Sequence, residues 1–160
     1  MIRANVRVVL LLVAVSACGS SSDGSGPVSG EPLRGDLSGR EFVAVSARAR
    51  STSRDPGRKS IEIFDSPSTC KSGLVAGPPR YITLSLPWTA GYAADFSLTK
   101  DGQLGSFVVS REGRTTLAIS ATGRVELIDT PATGGKARLR LRMSEKDGSV
   151  EGEVLVDVCD

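Results

Sequence analysis

From about residue 37 onward the chain is a series of short runs rich in Val, Ile, Leu, Phe and Thr. Gly or Pro interrupts these runs roughly every eight to twelve residues, and helical spacing of apolar residues is hardly visible. This pattern is typical of an all-β fold, either an antiparallel β-sandwich or a partly open barrel of about eight or nine short strands. The predicted strands are 41–49, 60–64, 81–86, 95–99, 105–110, 115–121, 124–128, 136–143 and 150–159.

Turn residues lie between several of these predicted strands and support short hairpins. Each turn contains a glycine, which tolerates the positive φ of a tight turn, and most have a polar residue before it. The dipeptides are Asp101-Gly102, Glu112-Gly113, Thr122-Gly123, Gly134-Gly135 and Asp147-Gly148.

The last two predicted strands carry the clearest pattern. Apolar residues alternate with arginines along 136–143 and with carboxylates along 150–159, so each strand has one apolar face. A slip of one residue would turn both apolar faces outward, so the alternation specifies one register. That register pairs Met143 with Val150, Arg142 with Glu151, Arg140 with Glu153, Leu139 with Val154 and Lys136 with Asp157.

The arginines of this hairpin allow two interpretations. Taken alone, they form a basic stripe that would suit phosphate or lipid headgroups. Because carboxylates stand opposite them in the predicted register, we favour a solvated ladder of salt bridges.

The amino terminus reads MIRANVRVVLLLVAVSAC. Arg3 and Arg7 form a basic region, an apolar run follows over residues 8–15, and the small residues Ser16 and Ala17 end it. This arrangement is typical of a secretory signal peptide. The run is roughly half the ~20 residues that a transmembrane helix needs, so a permanent membrane span is not expected.

The residues Val15-Ser16-Ala17-Cys18 resemble the lipobox of bacterial lipoprotein precursors. The resemblance covers only the leader and Cys18, and it implies that the thiol of Cys18 receives a diacylglycerol and that cleavage makes Cys18 the first mature residue. It also implies attachment to the membrane of the cell envelope. Because Gly19 rather than Asp follows the cysteine, the resemblance favours the outer membrane if the host is Gram-negative. The alternative is an ordinary secretory leader cleaved after Ala17.

Residues 19–30 are nearly all Gly, Ser and Pro, a composition typical of a flexible linker. Breakers continue to Gly39, so the domain start is predicted near Leu37. The predicted organisation is a signal peptide at 1–17, a lipidated cysteine with its tether at 18–36, and one β-rich domain at 37–160.

Charge and composition exclude several classes of function. Two of the 20 basic residues, Arg3 and Arg7, belong to the leader, so without it 18 basic residues stand against 18 acidic ones, and no nucleic-acid partner is expected. Histidine is absent, which removes the usual proton shuttle, the commonest imidazole metal ligand and Ser-His or Cys-His nucleophile pairs. No cofactor and no metal site are predicted.

With Cys18 assigned to lipid, Cys70 and Cys159 remain as a pair in a compartment that permits disulfides. We therefore predict that they bond to each other. A two-cysteine metal site is the competing interpretation, but the chain lacks the further ligands.

Other candidate chemistry is weak. Ser68-Thr69-Cys70-Lys71 and Ser97-Leu98-Thr99-Lys100 match the S-x-x-K pattern of penicillin-recognising enzymes, but neither is on a predicted helix. Trp88 is interpreted as closing one end of the fold, with a ligand contact as the alternative. Four carboxylates near strand ends are candidates for a hydrolase pair, although no spacing selects two of them: Asp65, Asp95, Asp101 and Asp129.

These observations predict a membrane-anchored envelope lipoprotein whose β-domain has a non-enzymatic binding or structural role. Two alternatives stay open. One is a periplasmic inhibitor or immunity-type lipoprotein that binds one protein partner through loops such as 78–87, and the other is a carboxylate-dependent hydrolase.

Overall fold

A computed structural model describes residues 26–37, 39–52, 55–71, 80–97, 105–111, 114–119, 122–131, 134–146 and 148–159. This part of the chain is all β and contains no helix. Its eleven strands are β1 (Arg34–Leu37), β2 (Arg40–Val43), β3 (Ser46–Ser51), β4 (Arg58–Phe64), β5 (Arg80–Pro87), β6 (Tyr92–Ser97), β7 (Gly105–Arg111), β8 (Arg114–Ile119), β9 (Thr122–Asp129), β10 (Lys136–Glu145) and β11 (Gly148–Val158).

The strands form one nearly closed, barrel-like sheet rather than a sandwich. The order of neighbours is β6-β9-β10-β11-β3-β4-β5-β7-β8, and β1 pairs with both β11 and β2. All pairs are antiparallel except β11 with β3, which run parallel at Asp157↔Arg48 and Val158↔Ala49. The strand β11 therefore connects the amino-terminal strands to the carboxy-terminal meander.

The predicted carboxy-terminal hairpin is confirmed. Strands β10 and β11 pair antiparallel in the register that the sequence specified, including Met143↔Val150, Arg142↔Glu151, Arg140↔Glu153, Leu139↔Val154 and Lys136↔Asp157. The four apolar members of these pairs are buried. Alternating burial along both strands follows from the two-residue period of side chains in a strand.

The first predicted strand, 41–49, is wrong as a single element. It consists of β2 and β3, separated by Ala44 and Val45. The backbone N–H of Ala44 donates to Leu33, whereas that of Val45 donates to Phe64 of β4. The two halves thus pair with different neighbours, and the chain turns from one to the other without a glycine or proline to mark the break.

Strand β1 lies within the segment predicted as tether. Its Gly35 stands opposite Val150, where a Cβ would collide with backbone atoms of Ser149. At Gly152 a Cβ would collide with the backbone of Leu33. These two glycines allow close approach of the chain to β11, although in the sequence Gly35 indicates a break in structure. The predicted tether therefore overlaps the folded part over residues 26–36.

The barrel interior is filled by side chains. Its buried core draws on nearly every strand, with Phe42 and Phe107 in edge-to-face contact at 6.0 Å between ring centroids. The other fully buried large side chains of this core are Leu33, Leu37, Ile61, Ile63, Ile82, Leu84, Leu86, Leu127 and Leu139. Close packing of apolar side chains of this kind stabilises the fold.

The leader, the lipobox residues and Cys18 lie outside the described residues, as do Asp101 and residues 78–79. The predicted loop 78–87 is wrong over residues 80–87, which form strand β5. Within the described ranges, no helix is both long and apolar enough to cross a membrane.

Candidate functional site

The disulfide predicted from the cysteine count is present. Cys70, in the loop after β4, is bonded to Cys159, which follows β11 and lies 89 positions further along the sequence. The backbone N–H of Cys159 donates to the carbonyl of Ala49, and Arg50 donates to the carbonyl of Cys70 at 3.2 Å. The disulfide joins the end of β11 to the loop after β4, and hydrogen bonds attach both cysteines to the same strand, β3.

Beneath this loop lies Arg48, a residue that the sequence analysis did not single out. Only 3% of its side chain is exposed. Its Nε donates to Glu62 Oε2 at 2.7 Å, its Nη1 donates to the carbonyl of Thr69 at 3.1 Å, and its guanidinium lies 5.1 Å from the ring centre of Phe64. A buried charge with this many partners fixes the loop against the sheet.

Arg48 was missed for a physical reason. Its side chain is on the opposite face of β3 from the core residues Ala47 and Ala49, where an alternating pattern predicts a solvent-exposed cation. Of the residues around it, Glu62 and Phe64 come from β4 and Thr69 from the loop after β4, and no local pattern encodes these contacts.

The arginine row on β10 forms the predicted ladder of ion pairs. Arg140 Nε lies 3.0 Å from Glu153 Oε2, Arg142 Nη2 lies 2.8 Å from Glu151 Oε1, and Lys136 Nζ lies 3.3 Å from Asp157 Oδ1. The interpretation of this row as a solvated ladder is supported, because each of these cations has a carboxylate beside it.

Arg138 extends the ladder in a direction that the hairpin register did not predict. Its partner is Asp129 of β9, at 2.9 Å between Nε and Oδ2. Hydrogen bonds from the side chain and the backbone N–H of Arg138 lower the pKa of Asp129. A carboxyl held as the anion in this way cannot serve as a general acid near neutral pH.

The other described carboxylates considered for a hydrolase pair also face arginines. Asp65 pairs with Arg80 at 2.6 Å, and Asp95 pairs with Arg124 at 3.0 Å. Each of the three described candidates, Asp65, Asp95 and Asp129, pairs with a different arginine. In the part of the chain that is described, there is also no group of three or more His, Cys, Asp or Glu residues able to hold a metal ion.

Trp88 follows β5 and packs against the edge of the core. Its backbone N–H donates to Gly57 at 2.9 Å, and the Lys59 ammonium lies 5.6 Å from its ring centre. Tyr92 packs beside the core as well. These contacts support the interpretation that Trp88 closes one end of the barrel.

A shallow groove of about 490 Å³ lies on the outer surface where β2 and β3 separate. Two of the three large apolar residues that are markedly exposed in the described structure line it: Val45 is 56% exposed and Leu155 is 52% exposed. Pro32 and Pro67 lie at its sides. We call this site the Val45–Leu155 groove.

The backbone of β11 is incompletely paired in the Val45–Leu155 groove. The N–H and C=O of Leu155 point away from β10, as those of Glu153 do, and Glu153 is paired with Glu31 and Leu33. Pairing with β3 begins only at Asp157. Among the described residues, the N–H and C=O of Leu155 therefore have no backbone partner on this side.

One of the S-x-x-K patterns also reaches this groove. Ser68 lines it, and the buried Oγ of Ser68 has no hydrogen-bond partner within the described structure. The pattern does not form a serine–lysine pair on a helix, because Ser68 and Lys71 lie in a loop and Cys70 between them is in the disulfide. The second pattern, 97–100, lies mostly outside the described residues.

Comparison with protein-family models, curated proteins and solved structures found no match to this chain. The described surface combines exposed apolar side chains at Val45 and Leu155 with carboxylates that are paired with arginines.

Proposed function

We propose that this protein is a lipoprotein of the bacterial cell envelope, anchored by acyl chains on Cys18, whose β-domain has a binding or structural role and no catalytic one. The observation that supports the second part of the proposal is the described core, in which apolar side chains from nearly every strand are buried. The first part rests on the lipobox resemblance of residues 15–18. Because Gly19 follows the cysteine, the outer membrane is the proposed destination in a Gram-negative host.

Metabolic labelling with palmitate in a bacterial host tests the anchor. We expect the full-length chain to incorporate label and to partition into the detergent phase, and Cys18→Ala to do neither, because two or three acyl chains are needed for stable attachment. The matched control is the double variant Cys70→Ala, Cys159→Ala, which removes two thiols and should still incorporate label. Labelling of the Cys18→Ala protein would refute the proposal.

A second candidate function, an inhibitor or immunity-type lipoprotein that binds one protein partner, is favoured by the Val45–Leu155 groove. Exposed apolar side chains beside unpaired backbone groups suit an approaching segment of polypeptide. The hydrolase hypothesis has less support, because Asp65, Asp95 and Asp129 each pair with an arginine.

Site-specific photo-crosslinking in living cells distinguishes these candidates. A photoreactive residue at position 155 should give a discrete adduct with one protein if the groove binds a partner. The matched control is position 43, because Val43 is 43% exposed and does not line the groove. Equal yields at both positions, or no adduct at position 155, would count against a single-partner function.

A further inference from the structure

The segment of residues 26–33, just before β1, is fixed to the charged face of β10 and β11. Arg142 donates to the carbonyls of Gly26 and Pro27 at 3.2 and 2.9 Å. The same guanidinium is paired with Glu151, whose Oε1 accepts a hydrogen bond from the backbone N–H of Ser29 at 2.9 Å. The ion pair of Arg142 and Glu151 therefore holds the segment at three points. We call this segment, residues 26–33, the clasp.

Apolar burial and backbone pairing reinforce the clasp. Val28 is 3% exposed and Leu33 is 1% exposed. Glu31 accepts a hydrogen bond from the backbone N–H of Glu153, and Leu33 donates to the carbonyl of the same residue. A segment with two buried apolar side chains and paired backbone groups belongs to the folded domain in energetic terms.

The position of the clasp fixes where a tether would leave the domain. Only eight peptide steps separate Cys18 from Gly26, which at full extension span about 26–29 Å. Chain statistics for Gly/Ser sequences give a root-mean-square span of about 14–17 Å for eight steps. The tether predicted from composition, which runs to residue 36, would have reached about 59–65 Å.

We propose that the clasp holds the anchored domain close to the lipid surface, with the turn between β10 and β11 facing the bilayer. This inference rests on the proposed lipidation of Cys18. Gly26, the first residue of the clasp, is hydrogen-bonded to Arg142, which lies four residues from Lys146 in that turn, or about 13 Å. Val158, at the other end of β11, is seven residues beyond Glu151, or about 23 Å. That distance exceeds the typical span of the tether, so turning the far end toward the bilayer requires a nearly extended chain. The carboxy-terminal end of β11 and its disulfide therefore face away from the membrane.

Two lysines at opposite ends of β10 provide matched positions for a test. Lys146 lies in the turn that is proposed to face the bilayer, and Lys136 begins the strand about 30 Å away. Single variants Lys146→Cys and Lys136→Cys, made in the lipidated full chain, are labelled with a donor dye. Energy transfer is then measured to acceptor-labelled lipid in phosphatidylcholine vesicles.

We expect clearly higher transfer from position 146 than from position 136. Inserting eight Gly/Ser residues between Ser25 and Gly26 leaves the domain untouched and should abolish most of this difference. Arg142→Ala removes the hydrogen-bond donor that holds Gly26 and Pro27, and it should also reduce the difference in transfer between the two positions.

The outcomes separate the inference from the lipid anchor on which it rests. Equal transfer from both positions in a chain that floats with the vesicles overturns the proposed orientation and leaves the anchor intact. A difference that survives the insertion also overturns it, because another contact would then set the orientation. Failure of the chain to float with vesicles overturns the anchor itself and the orientation with it.

Discussion

Two arginines of this molecule have the same chemistry and very different surroundings. Arg48 is 3% exposed and has Glu62, Thr69 and Phe64 around it, whereas Arg140 is 32% exposed and has one carboxylate beside it. An exposed ion pair contributes little because water solvates both charges well. Removal of one partner from a buried pair leaves the other charge poorly solvated. Loss of Arg48 should therefore lower the free energy of unfolding more than loss of Arg140.

Arg48→Met should lower the free energy of unfolding by about 2–4 kcal/mol, less than for a fully enclosed pair because Glu62 is 24% exposed. Arg140→Met, the matched control, keeps the apolar stem and should cost less than about 1 kcal/mol. Urea titrations of the two variants measure both values. Equal costs would contradict the bracing role assigned to Arg48.

Glu151 makes the clasp sensitive to acid. The hydrogen bond from Arg142 holds the pKa of Glu151 below its ordinary value of 4.5, against the opposing effect of burial. Because the folded-state pKa is lowered, the stabilisation by this carboxylate is fully present above the unfolded-state pKa and is lost as the pH falls through the folded-state value.

We therefore expect the amide of Ser29 to lose protection from hydrogen exchange only below about pH 4.5 in the native chain. In Glu151→Gln the protection should be weaker at neutral pH and should show less dependence on pH in this range. Amide exchange followed by NMR between neutral and acidic pH measures this. An unchanged profile in Glu151→Gln would show that the carboxylate does not hold the clasp.

At the scale of elements, the register of the β10–β11 hairpin could be predicted because two independent alternations, apolar with basic and apolar with acidic, agree on it. The path of the chain around β1 could not be predicted from the sequence. Gly35 and Gly152 allow close approach between backbones, but in a sequence glycine indicates a turn. The break at Ala44 and Val45 was also hidden, because it arises from a change of hydrogen-bonding partner.

The hairpin predicts a large difference between neighbouring substitutions. Leu139→Asp or Val154→Asp places a carboxylate in the core without a partner and should cost several kcal/mol, enough to unfold a marginal domain. Arg140→Gln should change the free energy of unfolding by less than about 0.5–1 kcal/mol. Thermal melts of the three variants show which substitutions lower the melting temperature most. Equal damage from Arg140→Gln would mean that the arginine row has a role beyond the surface ladder.

For the whole molecule, the cysteine count predicted the covalent link, but nothing in the sequence showed what the link joins. In the structure it closes the carboxy-terminal end of β11 onto the loop that covers Arg48. The Val45–Leu155 groove was equally hidden, since it is produced by the separation of β2 from β3. Features that depend on distant segments meeting were the ones that local patterns did not predict.

Loss of the disulfide should destabilise the whole domain. The chain-entropy model gives roughly 4–5 kcal/mol for a loop of this length, an upper value from which strain and residual structure subtract. We expect Cys70→Ser, Cys159→Ser to unfold at markedly lower urea, and the native chain to match it under reducing conditions. Peptide mapping without reductant should find this pair linked. Two free thiols in protein from the envelope would contradict the pairing.

The position of β11 between β10, β1 and β3 has a consequence for how the chain folds. Its contacts join residues as far apart as Ser29 and Glu151, which are 122 positions apart in sequence. Such a high contact order slows folding, because the entropy of closing a long loop is lost before the contacts form, so we expect refolding on a scale of about milliseconds to seconds. Until β11 has joined the sheet, neither the clasp nor the parallel pair with β3 can form. A chain that folds slowly in this way remains unfolded for longer, which is the state that the export proposed above requires.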